Sequence, residues 1–265
     1  MKKYETIGSV TWSREDLIGS LQEFLRVYDK RPIRSNFGGM SSSHMFVTWF
    51  LCKRLNPKHI IESGIWMGQS SWLLETACPN AEIVSIDPEL HLRKYISPNI
   101  SYTVTDFTDI NWDSINKDET LCFFDDHYGV DRIKQAAQRG FKHILYEDNY
   151  HDGRGNGSHP QYGHLANVDP LNQGPRSYSP KSSLLLNTSD GIWLRDAVDI
   201  YYEFPPIYPD VDSVRGYEWA KISRQEYLDI TPDPLLTEYK KDFDIYADEA
   251  SDYTWICYLK LKQEA

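Results

Sequence analysis

Residues 59–87 read HIIESGIWMGQSSWLLETACPNAEIVSID, and this stretch decides the fold class. Two short apolar runs, around Ile60-Ile61 and Ile83-Val84, close on the acids Glu62 and Asp87, with a Gly-containing turn and a helical stretch between them. Two later runs have the same form. Leu121-Cys-Phe-Phe closes on Asp125-Asp126-His127, and His143-Ile-Leu-Tyr closes on Glu147-Asp148. Between those two, Val130 to Gly140 reads as a helix with a glycine stop. Continuous apolar runs, as opposed to alternating ones, suit strands covered on both faces. Strand, helix and strand in repetition predict an open parallel α/β sheet. In such sheets ligands bind beyond the carboxyl ends of the strands, where these acids gather.

Outward from this core, Ser13 precedes Leu17, Leu21, Phe24, Leu25 and Tyr28, the stripe of an amphipathic helix with a serine N-cap. A second helix starts within Ser41-Ser-Ser, carries Met45, Phe46, Trp49, Phe50 and Leu55, and ends at Asn56-Pro57. Arg31 to Met40 is a loop between them. Ile100 to Val104 is strand-like. Residues 149–183 hold five glycines and four prolines with few aliphatics, and a loop of that length inside a compact domain points to function or disorder. Leu184 to Ala197 is partly helical, Ile200 to Phe204 reads as a strand ended by Pro205-Pro206, and Tyr253 to Leu261 reads as the final strand.

The 265 residues include 28 Lys plus Arg against 39 Asp plus Glu, a net charge of −11. That balance argues against nucleic acid or an anionic membrane as partner. Residues 201–252 alone hold 13 acids and 5 bases, so most of the excess lies away from the strand ends. Apolar residues at 40% and aromatics at 14% exclude a disordered chain. The N-terminal MKKYETIGSV lacks the apolar stretch of an export signal. The longest apolar window, Met45 to Cys52, is too short to span a bilayer. Cys52, Cys78, Cys122 and Cys257 form no CxxC and read as core residues. A soluble cytoplasmic protein is expected, with a homo-oligomer left open.

Glu62-Ser-Gly64-Ile-Trp-Met-Gly68-Gln-Ser70 leaves a strand and opens a helix. Glycines at such a turn let main chain approach a ligand, and the helix start offers free N–H groups. Asp87 ends the next strand, where a carboxylate can accept both ribose hydroxyls of an adenosine. The GxGxxG spacing of a dinucleotide site is absent, which puts a nicotinamide dehydrogenase last; the looser ExGxxxGxS suits a cofactor without phosphates. This segment resembles motif I and the acidic second-strand end of class I S-adenosylmethionine-dependent methyltransferases. The resemblance implies that Glu62 lies near the methionine moiety, with Gly64, Gly68 and Ser70 around it. It also implies that Asp87 binds ribose and that Asp106-Phe107 contacts adenine.

Asp125, Glu147 and Asp148 close neighbouring strands, so their carboxylates converge, and like charges that close raise each other's pKa values. A divalent cation resolves the conflict, and all-oxygen ligation favours Mg²⁺, Mn²⁺ or Ca²⁺ over zinc. Asp126 points to the other side of the strand or caps a helix. His127 shares the side of Asp125 and is the candidate base. Over about Ile60 to Asn149 the pattern is similar to the metal-dependent sugar O-methyltransferases, the cephalosporin hydroxylase/rhamnosyl and macrocin O-methyltransferase groups. The resemblance implies that Asp125 and the Glu147-Asp148 pair hold Mg²⁺ (or Mn²⁺). The Asp-Asp-His triplet and the 149–183 segment depart from that pattern, and His151 is a rival base.

The implied fold is the Rossmann-like class I methyltransferase fold. It has a mostly parallel seven-stranded sheet with a final antiparallel strand, N-terminal helices and a long loop insertion after strand 5. One domain is expected over 1–265: a helical part at 1–57, the cofactor- and metal-binding core at 58–150, an acceptor loop or lid at 151–183, and an acidic C-terminal part of the sheet at 184–265. The implied activity is transfer of a methyl group from S-adenosylmethionine to a sugar hydroxyl, with Tyr150, His151, Arg154 and Tyr162 as acceptor contacts. A catechol-type or other small-molecule O-methyltransferase and a non-catalytic S-adenosylmethionine- or glycan-binding module are the alternatives.

Overall fold

The computed structural model describes residues 10–36, 38–147, 189–205, 207, 234–236 and 256–262. The chain opens with α1 (Arg14–Tyr28) and α2 (Ser42–Leu55). A βαβ core follows: β1 (His59–Ser63), α3 (Gln69–Ala77), β2 (Glu82–Ile86), β3 (Ile100–Thr103), β4 (Thr120–Phe124), α4 (Val130–Gln138) and β5 (His143–Tyr146). After it come α5 (Ser189–Ala197), β6 (Val198–Glu203) and β7 (Cys257–Leu261). The seven strands form one sheet in the order β3-β2-β1-β4-β5-β7-β6, parallel except for β7, which runs antiparallel to both neighbours. This is the Rossmann-like fold expected, with its final antiparallel strand.

Local chemistry sets the elements. Ser13 and Asp16 form a reciprocal cap on α1: the Ser13 hydroxyl accepts the Asp16 N–H at 3.1 Å and the Asp16 carboxylate accepts the Ser13 N–H at 2.8 Å. Leu17, Leu21, Phe24 and Tyr28 are then buried along one face. Asn56 ends α2 in the left-handed conformation, ahead of Pro57, which cannot continue a helix.

The strands are apolar throughout because both faces are covered. Along β4, Leu121 and Phe123 join the core beneath α1, α2 and α3, while Cys122 and Phe124 join a second core beneath α4 and α5. All four cysteines are free and buried, as their spacing suggests. β6 begins at Val198, two residues before the expected start, with an irregularity in its register against β7 between Val198 and Ile200; residues 253–255 of the expected final strand lie outside the described residues. Among the described residues no helix is long and apolar enough to cross a membrane.

Candidate active site

The register of the sheet builds the site. Ser63 lies beside Ile86 on one side and Phe124 on the other; Phe124 lies beside Tyr146, and Ile86 beside Thr103. The residues that follow these positions, Val104, Asp87, Gly64, Asp125 and Glu147, therefore stand level across five neighbouring strands. All five line one cleft of about 410 Å³. Main-chain bonds carry the ladder one step past the strands: Asp125 N–H donates to the Ser63 carbonyl at 2.8 Å and Glu147 N–H to that of Phe124 at 2.9 Å.

Gly64 is required at this level. Its φ is +95°, and a Cβ there would sit 2.2 Å from the Asp125 carbonyl oxygen, far inside contact distance, so only glycine admits the crossing of the two turns. Asp87 organises the next turn. Its Oδ2 accepts the N–H groups of Ile65 at 2.8 Å and Trp66 at 3.1 Å, and its Oδ1 accepts that of Glu89 at 2.7 Å. Trp66 is thereby held at φ +51°, a costly value for a bulky residue, and the residue is 45% exposed on the cleft wall. His127 lines the same cleft, also left-handed at φ +61°.

A buried ion network closes the β3 and β4 side. Arg132, on the first turn of α4, gives its two terminal nitrogens to Asp106 at 3.2 and 2.8 Å and its Nε to Asp126 at 2.7 Å. The guanidinium lies 4.1 Å from the Tyr128 ring. Arg132, with Thr108, holds the Asp106 carboxyl well below the usual carboxylate range. Burial pushes the Asp126 carboxyl up, against the pull of Arg132. The two acids differ because the Asp106 side chain is 34% exposed and that of Asp126 only 10%. Asp126 is thus neither a solvated acid nor a helix cap but an ion-pair partner that also lines the cleft.

Four expected cofactor residues stand off the cleft wall. Glu62 is fully buried and absent from the cleft wall. Its carboxylate accepts the hydroxyls of Ser71 at 2.6 Å and Ser85 at 2.5 Å, tying β1 to α3 and β2. Burial raises its pKa, with Ser70, Ser71 and Ser85 pulling the other way. Ser70 is buried near it. Phe107 is turned into the second core against Trp112, Phe124 and Phe141. Gly68 caps α3 at φ +92°, where a Cβ would meet the Tyr95 carbonyl at 2.8 Å. It shapes the turn without lining the cleft.

Of the expected metal ligands, Asp125 and Glu147 share the cleft. Asp148 and the acceptor candidates Tyr150, His151, Arg154 and Tyr162 lie outside the described residues. Among the described residues no three His, Cys, Asp or Glu side chains are grouped so as to hold a metal. One partner was not anticipated: His44, in the first turn of α2, places its Nδ1 against Glu147 Oε1, and both side chains are buried. A histidine on a helix that is apolar almost all round carries no sequence signal for such a contact. Arg132 is the other residue that sequence reasoning missed, since a basic residue in a helix reads as solvated.

No protein-family model matches the chain, and no curated protein matches it. Among solved structures the chain is similar to CmcI with Mg and SAM, at 19% identity over 45% of this chain and 59% of that one, TM-score 0.35. It is also similar to the Podospora anserina methyltransferase PaMTH1 bound to SAH, at 15% identity over 93% of this chain and 88% of that one, TM-score 0.39. A third likeness is to the plantazolicin methyltransferase BpumL in complex with SAH, at 13% identity over 94% and 95%, TM-score 0.42.

Proposed function

We propose that the chain is an S-adenosylmethionine-dependent O-methyltransferase that moves a methyl group onto a hydroxyl of a sugar-containing acceptor, assisted by Mg²⁺ or Mn²⁺. The observation that carries this reading is the level row at the strand ends: Asp87, Gly64, Asp125 and Glu147 face one cleft in that spatial order. Asp87, already locked by three main-chain N–H groups, presents a carboxylate to the ribose hydroxyls. Asp106 lies one strand further out, on the adenine side. Gly64 lets the methionine portion rest against main chain, which directs the reactive methyl toward β4 and β5.

There the donors are carboxylate oxygens, the set that fits a hard divalent cation and not zinc. Asp125, Glu147 and Asp148 would hold it. When bound, such a cation lowers the pKa of a coordinated hydroxyl. His127, exposed on the same wall, takes the hydroxyl proton. The acceptor oxygen then attacks the methyl carbon in line as the carbon–sulfur bond breaks, which yields a methyl ether and S-adenosylhomocysteine. Holding the reactants along that axis supplies much of the rate. Tyr150, His151, Arg154 and Tyr162 would contact the acceptor.

Calorimetry with S-adenosylmethionine and S-adenosylhomocysteine, with and without Mg²⁺, tests the reading. Tight binding of both is expected, and no binding of either refutes it. Asp148→Ala should abolish metal-dependent transfer with cofactor binding nearly intact, and full activity in EDTA would remove the metal from the scheme. An acceptor screen of sugars against catechols decides the substrate class.

A further inference from the structure

We infer that His44 is a positioning residue that sets the orientation of the Glu147 carboxylate in the cleft. This inference rests on the reading of Glu147 as a metal-site carboxylate. His44 is 1% exposed and Glu147 5%, so neither can turn to water, and a carboxylate buried to that degree needs a donor. A carboxylate that ligates a cation is ionised and only accepts, so this reading assigns the proton of the contact to His44 Nδ1.

The element behind His44 is rigid. In α2 the twelve residues Ser42 to Cys52 and Leu55 are buried, and only Lys53 and Arg54 reach the surface. Gln69 ties the start of α3 to this region, accepting the Ile33 N–H at 3.3 Å and reaching the Met45 sulfur at 3.5 Å. The first turn of a helix also carries partial positive charge, which favours a carboxylate beside it. Glu147 stands at the end of β5, 103 residues on in the chain, and β5 lies two strands from β1, the strand that α2 leads into. The N-terminal helical layer thus fixes the geometry of an acid at the far end of the row. Support of a ligating carboxylate by a fixed donor is worth about 10- to 100-fold in metal affinity.

The test measures Mn²⁺ binding by electron paramagnetic resonance on the whole chain, with calorimetric S-adenosylmethionine binding as the control. His44→Ala should weaken Mn²⁺ binding by about 10- to 100-fold and leave cofactor affinity within about threefold. His44→Asn puts an amide N–H near the place of Nδ1 and should restore Mn²⁺ affinity. His44→Gln puts it at the reach of Nε2 and should not. The Asn and Gln variants carry the test on their own if the alanine variant does not fold. Wild-type Mn²⁺ affinity in His44→Ala, or equal loss in the Asn and Gln variants, overturns the role of His44 alone. A wild-type chain that takes up no Mn²⁺ overturns the metal reading of the site, and the role of His44 with it.

Discussion

Replacing Gly64 by alanine strikes the site at its tightest point. Two costs add. An L-residue at φ +95° pays about 1–2 kcal/mol for the left-handed backbone. The new Cβ then lies 2.2 Å from the Asp125 carbonyl oxygen and 2.5 Å from its carbon, where ordinary contact begins at 3.4 Å. Relieving that overlap means pushing two backbone turns apart by about 1 Å, an overpacking cost of about 1–3 kcal/mol. Gly140→Ala is the matched control. Its φ is +81° and the nearest atom to its Cβ is Lys117 Cγ at 4.0 Å, so it pays the backbone cost alone, about 1–2 kcal/mol. Urea unfolding of both variants, with m-values compared to exclude a change in the denatured state, should place Gly64→Ala about 1–3 kcal/mol below Gly140→Ala. Because the displaced atoms belong to Asp125, S-adenosylmethionine binding should also fall in Gly64→Ala and hold in Gly140→Ala. Equal destabilisation of the two variants would refute the close crossing of the β1 and β4 turns.

Asp87→Ala leaves the N–H groups of Ile65, Trp66 and Glu89 without their acceptor and frees Trp66 from its left-handed backbone. Cofactor affinity by calorimetry should drop by at least about tenfold, and an unchanged affinity would show that the carboxylate does not organise the turn. Glu62→Gln isolates a buried proton. Burial raises the Glu62 pKa, so the native wild type binds more protons than its unfolded chain above the ordinary value of 4.5. Its stability therefore falls as pH rises toward the folded pKa. The amide does not titrate, so Glu62→Gln should gain on wild type as pH is raised from about 4 to about 8 in urea titrations; a constant difference would contradict the raised pKa. Arg132→Met removes the cation from Asp106 and Asp126 and should cost about 3 kcal/mol in the same assay. Adding Asp126→Asn should recover part of it, and a double variant no better than the single would count against the ion pair.

Much of this molecule was legible because its strands are buried on both faces. Such strands write themselves as apolar runs closed by acids, and a parallel register then sets the closing residues level. Asp87, Asp125 and Glu147 were read correctly onto one edge for that reason. Glu62 lies two residues before Gly64, inside the strand, and its register partner is Ser85, so its side chain meets a serine of the neighbouring strand instead of the cleft. The serines at 71 and 85 were the available signal. Phe107 follows Asp106 directly, yet the turn sends one side chain to Arg132 and the other among Trp112 and Phe141, a choice that a loop sequence does not encode. His44 and Arg132 were hidden by distance. Glu147 lies 103 residues from His44 and Asp106 lies 26 from Arg132, although Asp126 is only 6 from it, and a charged or titratable residue on a helix shows its burial only once the helix is packed.

The placement of β7 has a consequence for the order in which this fold is made. Among the described residues β6 joins the sheet only through β7, so residues 198–203 have no strand to pair with until residues 257–261 have left the ribosome. The described cleft residues all precede residue 148, and β1 to β5 pair among themselves. A nascent chain can therefore assemble the row of strand-end residues while its β5 edge is still open. During that interval the exposed edge of β5 is the place where a chaperone, or a second nascent chain, would find a strand to pair with.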